Sequence, residues 1–356
     1  SKYYIVDTYE FPGFKLIQLE LPVLSIYSYM LVSEGEALVV DPCRDIFVFL
    51  DIAKKEGVKI TGVYLSHSHA DFVAGHMELV NAVECPIYQS HISGAKYPFK
   101  PLKEGSTIRV GKALVKFIET PGHTPEHLSY VVIDHSRAET PLGVFVGDTL
   151  FVGDVGRPDL FPDQAQELAG KLHESLHGKL LKLPDHVEVY PAHGAGSLCG
   201  RAMGAKWRST IGYERAYNAA LQIEEKTEFI RSLTENMPPA PDHFSRCSDI
   251  NRQGAPRSSQ IPPPAPKDVA EVKRLLEGSN VEVLDARSYH AFAGQHLPGA
   301  WHLDLNGNFP TFAGWVLPTD KDLLLVTDDY QKVAEANRWA RRVGVDRIVG
   351  FLDGGM

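Results

Sequence analysis

Cysteine is scarce in this chain. Cys43, Cys85, Cys199 and Cys247 are spread over 356 residues, and no two form a C-x-x-C pair. That excludes a disulfide framework and a cysteine-built zinc knuckle, and it suits a reducing cytoplasm. Positive charge is also short. Lys and Arg number 36 against 45 Asp and Glu, for a net charge of −9, so there is no basic footprint for nucleic acid or an anionic membrane. No stretch approaches the roughly 18 apolar residues of a membrane span, and Ser1–Asp7 shows no signal-like apolar segment. The expectation is a cytoplasmic protein with neither nucleic-acid nor membrane partners, and a homo-oligomer.

Proline is concentrated instead. Eight prolines fall between Met237 and Pro266, where they interrupt helix and central strand alike. This marks a linker or extended strap, and divides the chain into a domain over 1–236, a Pro-rich linker over 237–266 and a smaller domain over 267–356. The first domain opens with short apolar runs separated by turns, which predict antiparallel strands. Helices are predicted over Phe47–Glu56, Phe72–Val83, Gln164–Leu181 and Tyr213–Asn236. The last 90 residues alternate strand and helix, the pattern of a mostly parallel α/β sheet.

An apolar strand, Val58–Leu65, runs into Ser66-His67-Ser68-His69-Ala70-Asp71-Phe72. In an extended segment His67, His69 and Asp71 share one side and converge at the strand end, and such donors suit a borderline transition metal. Three later motifs repeat the plan of a strand followed by a polar residue in a Gly/Pro-rich turn: Thr120-Pro121-Gly122-His123-Thr124, Gly147-Asp148-Thr149 and Pro191-Ala192-His193-Gly194. Loops at strand ends are where rigid scaffolds present functional groups.

In order and spacing, these four motifs resemble the metallo-β-lactamase superfamily across about residues 1–235. The longer stretches 120–130, 151–160 and 191–200 resemble its persulfide dioxygenase branch, which includes proteins fused to rhodanese-like domains. The resemblance implies an αββα sandwich with the metal at one edge of the two sheets. It assigns His67, His123 and Asp148 as ligands of one Fe(II) per chain, and implies oxidation of the terminal sulfur of a thiol persulfide by O₂ to give sulfite. Two-zinc relatives such as glyoxalase II carry H-x-H-x-D-H. Here Phe72 stands at the last position, which moves the expectation from two metals to one and leaves Asp71 as a helix N-cap or a histidine-orienting acceptor. His69 and His193 are expected beside the metal or against the substrate. Cys199 follows His193 closely enough to approach the pocket, either as a sulfur carrier or as buried filler. Arg201, Lys206 and Arg208 are candidates for holding the thiol's anionic groups. The alternative is a mono- or dinuclear zinc thioester hydrolase of the glyoxalase II kind.

Leu284-Asp285-Ala286-Arg287 and His296-Leu297-Pro298-Gly299-Ala300 resemble rhodanese motifs over 267–356. A working rhodanese needs a thiolate on the loop that here reads Thr327-Asp328-Asp329-Tyr330-Gln331, and no cysteine follows Cys247. Sulfur transfer by that mechanism is excluded, and a docking or oligomerisation role is expected. The resemblance also implies that chain continues as a further helix after Met356.

Overall fold

The structure is a computed structural model that describes residues 2–356. The first sheet takes its strands in chain order: β1 (Tyr4–Glu10), β2 (Lys15–Leu21), β3 (Ile26–Ser33), β4 (Glu36–Val40), β5 (Lys59–Tyr64), β6 (Ile87–Ser90) and β7 (Lys100–Leu102). Pairing is antiparallel as far as β4, where short turns suffice. It becomes parallel once helix α1 (Phe47–Glu56) makes the crossover to β5. Helix α2 (His76–Val83) makes the next crossover.

The second sheet holds β8 (Thr107–Val110), β9 (Ala113–Glu119), β10 (Leu128–Ile133) and β11 (Gly143–Gly147). After the small hairpin β12 (Leu150–Phe151) and β13 (Asp154–Val155) come β14 (Glu188–Pro191) and β15 (Ser209–Thr210). The sheet order is β15-β14-β11-β10-β9-β8. Tyr29, Tyr64, Phe117, Tyr130 and Phe145 fill the space between the sheets. Helix α3 (Ala165–Gly178) lies between β13 and β14 in the chain, and α4 (Ile211–Tyr217) and α5 (Lys226–Thr234) follow β15. Leu172 and Leu176 of α3 and Phe229 and Leu233 of α5 cover the outer face of the second sheet. The result is the expected αββα sandwich. Every residue of β3 is buried, because both faces of the first sheet are covered.

The Pro-rich segment is more than a strap. Its proline-free stretch forms helix α6 (His243–Gln253), since prolines at its flanks cannot disrupt hydrogen bonds inside it. The predicted helix over 213–236 is broken in two. Buried Asn218 ends α4 by turning its amide to the carbonyl of Asp154 and the carboxylate of Glu214, and Glu225 starts α5 as its N-cap.

The C-terminal sheet is all parallel, in the order β16 (Ala265–Lys267), β20 (Ile348–Leu352), β19 (Asp322–Val326), β17 (Val281–Asp285), β18 (Trp301–His302). Around it lie α7 (Val269–Glu277), α8 (Tyr289–Gly294), α9 (Phe309–Val316) and α10 (Tyr330–Arg342). Leu323, Leu325, Ala336 and Trp339 belong to the same apolar cluster as Phe49, Val63 and Phe72. The two halves therefore share one continuous core. Buried guanidinium pairs, Arg44–Asp346 and Arg342–Asp45, cross the junction. Among the described residues no helix is long and apolar enough to cross a membrane.

Candidate metal centre

Four loops at the C-terminal ends of β5, β9, β11 and β14 meet at one edge of the sandwich. They bring together the side chains of His67, His123 and Asp148, with ligand atoms all within 4.8 Å of one another. His67 Nε2 and His123 Nε2 each lie 3.4 Å from Asp148 Oδ2. All three atoms are buried, and none makes a hydrogen bond. Buried polar atoms left without partners are costly, and three that face one another fit a metal ion.

The surroundings fix the orientation of these donors. His123 Nδ1–H donates to the Arg157 carbonyl at 2.7 Å, which leaves Nε2 as the bare lone pair. His67 Nδ1 pairs with Ser66 Oγ at 2.8 Å. The Asp148 backbone N–H donates to His127 Nε2, and His127 Nδ1 faces Thr120 and Thr149 hydroxyls. Burial, then the neighbouring His67 and His123, hold the pKa of His127 well below the ordinary range, so it stays neutral. Gly147 has a left-handed φ of 50°, and any Cβ there would stand 2.5 Å from His127 Nε2. Only glycine fits this approach.

The H-x-H-x-D side chains do not converge on one point. β5 ends at Tyr64, so the two-residue period lapses before His67, and the three side chains go separate ways. His69 Nε2–H donates to Asp41 Oδ1 at 2.7 Å, and His69 falls outside the group around Asp148. Asp71 is not an N-cap, because α2 begins only at His76 and is capped by Gly75. Its carboxylate Oδ2 instead accepts from His193 Nε2 at 2.7 Å, while His193 Nδ1–H donates to Asp148 Oδ1 at 2.6 Å. Burial opposes a charged imidazole, but Asp148 and Asp71 outweigh it and hold the His193 pKa well above its usual value. Burial likewise opposes both carboxylates. His193 prevails, keeping Asp71 below and Asp148 well below the usual range. His193 thus stands between two carboxylates that favour its protonated form.

Cys199 lies against this trio, its Sγ within 4.8 Å of ligand atoms of Asp71 and His193. Burial, then the charges of Asp71 and Asp148, push its pKa well up, so it is a thiol and not a thiolate. Arg157 locks the loop through a bidentate pair with Asp159 and bonds to the Leu198 and Pro238 carbonyls. Arg201 is engaged by Ser232 and Asp154. Lys206 and Arg208 lie over the rings of Tyr213 and Tyr9 and line a pocket with Trp207 beside β15. Phe72 is fully buried, its ring centroid 4.4 Å from that of His69 and 6.1 Å from that of His193.

Residue-by-residue reading missed three contributors. Asp41 adopts a left-handed φ of 49° and bonds both the Ser66 N–H and His69. His127 stands in a quoted motif without an assigned role. Asn251 of α6 bonds the backbone of the metal loop. Only the position of Asp41 before Pro42, which marks a strand-ending turn, hinted at the first.

The family described as Metallo-beta-lactamase superfamily matches residues 21–193, and the Rhodanese-like domain family matches 268–356. A metallo-beta-lactamase from Staphylococcus aureus of known crystal structure is 32% identical, with a TM-score of 0.85 over 95% of this chain and 98% of that one. This chain belongs to the metallo-beta-lactamase superfamily. Among curated relatives, the mitochondrial persulfide dioxygenase ETHE1 of Mus musculus is 30% identical over 64% of this chain and 84% of its own length. The hydroxyacylglutathione hydrolase of Dictyostelium discoideum is 27% identical over 70% and 94%. The fold, together with the His/Asp clusters of this chain, supports a metal-binding site. Persulfide dioxygenases are among the chain's relatives, and it carries a rhodanese-like domain. In that domain Arg287 pairs with Asp285, and the Asp329 carboxylate caps α10 by accepting from the Lys332 N–H. One amide at the start of α10 is thus answered by the chain's own carboxylate.

Proposed function

We propose that the protein is an iron-dependent persulfide dioxygenase that converts R–S–SH, O₂ and water into R–SH and sulfite. The observation that carries this reading is the bare, buried set His67 Nε2, His123 Nε2 and Asp148 Oδ2, with Phe72 buried against His69. Two imidazoles and one carboxylate on one face suit Fe(II) with open positions, and an aromatic ring stands where a two-zinc site would have a further histidine. When bound, iron would supply the binding of the terminal sulfur and of O₂ and the redox chemistry between them.

The chain's own residues orient and shield. His193 lies between the carboxylates of Asp71 and Asp148, which favour its protonated form. Arg157 and His127 hold His123 and Asp148 in place through backbone contacts. The ligands are 3% exposed or less, so bulk water is kept from the reacting sulfur. A small cavity above Asp71 is lined by apolar Val23, Leu24, Leu198 and Phe244 together with polar Ser197, His243 and Thr311.

The test is anaerobic reconstitution with Fe(II), followed by O₂ uptake and sulfite assay with glutathione persulfide and coenzyme A persulfide. Bound iron with stoichiometric O₂ uptake is expected, and His123→Ala should lose iron and activity together. Two bound zincs, no O₂ uptake and hydrolysis of a hydroxyacylglutathione would establish the hydrolase instead.

A further inference from the structure

The turn that carries His69, Asp71 and Phe72 is held largely from outside its own sheet. Asn251 of α6 is 1% exposed and bonds three of the turn's backbone groups. Its Nδ2 donates to the His69 and Phe72 carbonyls, both at 2.9 Å, and its Oδ1 accepts from the Ala74 N–H at 2.8 Å. The Val73 N–H donates to the carbonyl of Arg342 at the end of α10, at 2.7 Å. Helix α6 is tied in turn to the rhodanese-like domain, through Cys247 Sγ to the Val343 carbonyl and Arg246 to the carbonyls of Gly314 and Val343.

The consequence runs inward by contacts already described. The backbone of the turn places the Asp71 carboxylate, which holds His193, which holds Asp148 Oδ1. We infer that Asn251 is a positioning residue for the metal centre, through which α6 and the cysteine-less rhodanese-like domain set the geometry of the 69–74 turn. The second domain then works as part of the metal site's frame. This inference rests on a metal at His67, His123 and Asp148 but not on the persulfide reaction. One buried amide satisfying three backbone groups rigidly is the kind of outer support whose loss typically weakens metal binding by about 10–100-fold.

The experiment titrates Co²⁺ into the metal-free full chain under argon and follows the visible ligand-field spectrum, which reports coordination geometry. Asn251→Ala and the near-isosteric Asn251→Asp should both show an altered spectrum and Co²⁺ binding weaker by about tenfold or more. Arg246→Ala lies on the same helix and removes hydrogen bonds to the second domain but none to the turn. It should lower the melting temperature while keeping the wild-type spectrum and affinity. Wild-type spectra and affinities in both Asn251 variants would overturn the inference. So would an Arg246→Ala spectrum shifted as far as theirs, because the effect would then be general loosening of the junction. Hydrogen exchange on the unmodified chain needs no variant. The Val73 and Ala74 amides should exchange as slowly as those of α6 and α10, and fast exchange there with both helices protected would overturn the inference as well. A wild-type chain that binds no Co²⁺ would sink the metal-centre reading, and this inference with it.

Discussion

His193 Nε2 lies 2.7 Å from Asp71 Oδ2, and both groups are buried. The same imidazole bonds Asp148 through its other nitrogen, so Asp148 and Asp71 together fix where it points and favour its protonated form. Asp71→Asn keeps an acceptor but removes the charge. It should cost the metal-free chain about 2 kcal/mol, the scale of a hydrogen bond to a charged group. Urea unfolding measures this, and an unchanged midpoint would show that the pair contributes nothing.

Phe72 stands where the H-x-H-x-D-H pattern of two-zinc enzymes has its last histidine. Its ring is fully buried in the core shared with the second domain. Phe72→His should destabilise the chain by about 1–3 kcal/mol, since a polar ring replaces an apolar one. It should also raise zinc content from one per chain toward two, as measured by elemental analysis after dialysis against zinc. A content that stays at one would mean that Phe72 does not limit the site.

Cys199 is fully buried and held as a thiol by burial and by the charges of Asp71 and Asp148. Native protein treated with iodoacetamide at pH 8 should therefore leave Cys199 unmodified while unfolded protein is labelled fully. Peptide mass spectrometry reads the outcome. Rapid native labelling at Cys199 would show that the 191–200 loop opens in solution.

His76 and His243 are buried, and burial lowers the pKa of each from 6.5 to about 4. Above pH 6.5 both are neutral in the folded and the unfolded chain, and neither affects stability. As pH falls from 6.5 toward 4 the unfolded chain takes up these protons first, so stability is lost across that window. The limit is about 3 kcal/mol for each group. Urea midpoints at pH 7.5, 6 and 5 should fall progressively, and His76→Gln should flatten the trend. A slope unaffected by that substitution would assign the acid sensitivity elsewhere.

Much of the fold was legible because its signals are local. Helix α1 over Phe47–Glu56 and strands β8, β9 and β10 follow directly from apolar runs bounded by turns. Local signals also misled where a distant partner intervened. The helical pattern over 213–236 gave no warning that Asn218 would turn its amide to the carbonyl of Asp154. The prolines around α6 hid a helix whose flanks alone are proline-rich. In the site, alternation along an extended strand predicted a shared point for His67, His69 and Asp71. The strand ended first, and Asp41 and His193 drew two of the three away.

By itself the sequence determined which ligand types are present, in what order, and at which strand ends. It also determined that Phe72 cannot bind a metal and that the 327–331 loop has no sulfur nucleophile. These are matters of covalent identity and short-range spacing. Only the tertiary structure decided which nitrogen of each histidine faces inward, that His193 stands between two carboxylates, and that the second domain braces the metal loop. Those outcomes depend on partners 28 residues away for Asp41 and His69, and 182 residues away for Asn251 and His69. Packing selects such partners, because a buried donor or acceptor takes whatever group the folded chain brings within reach.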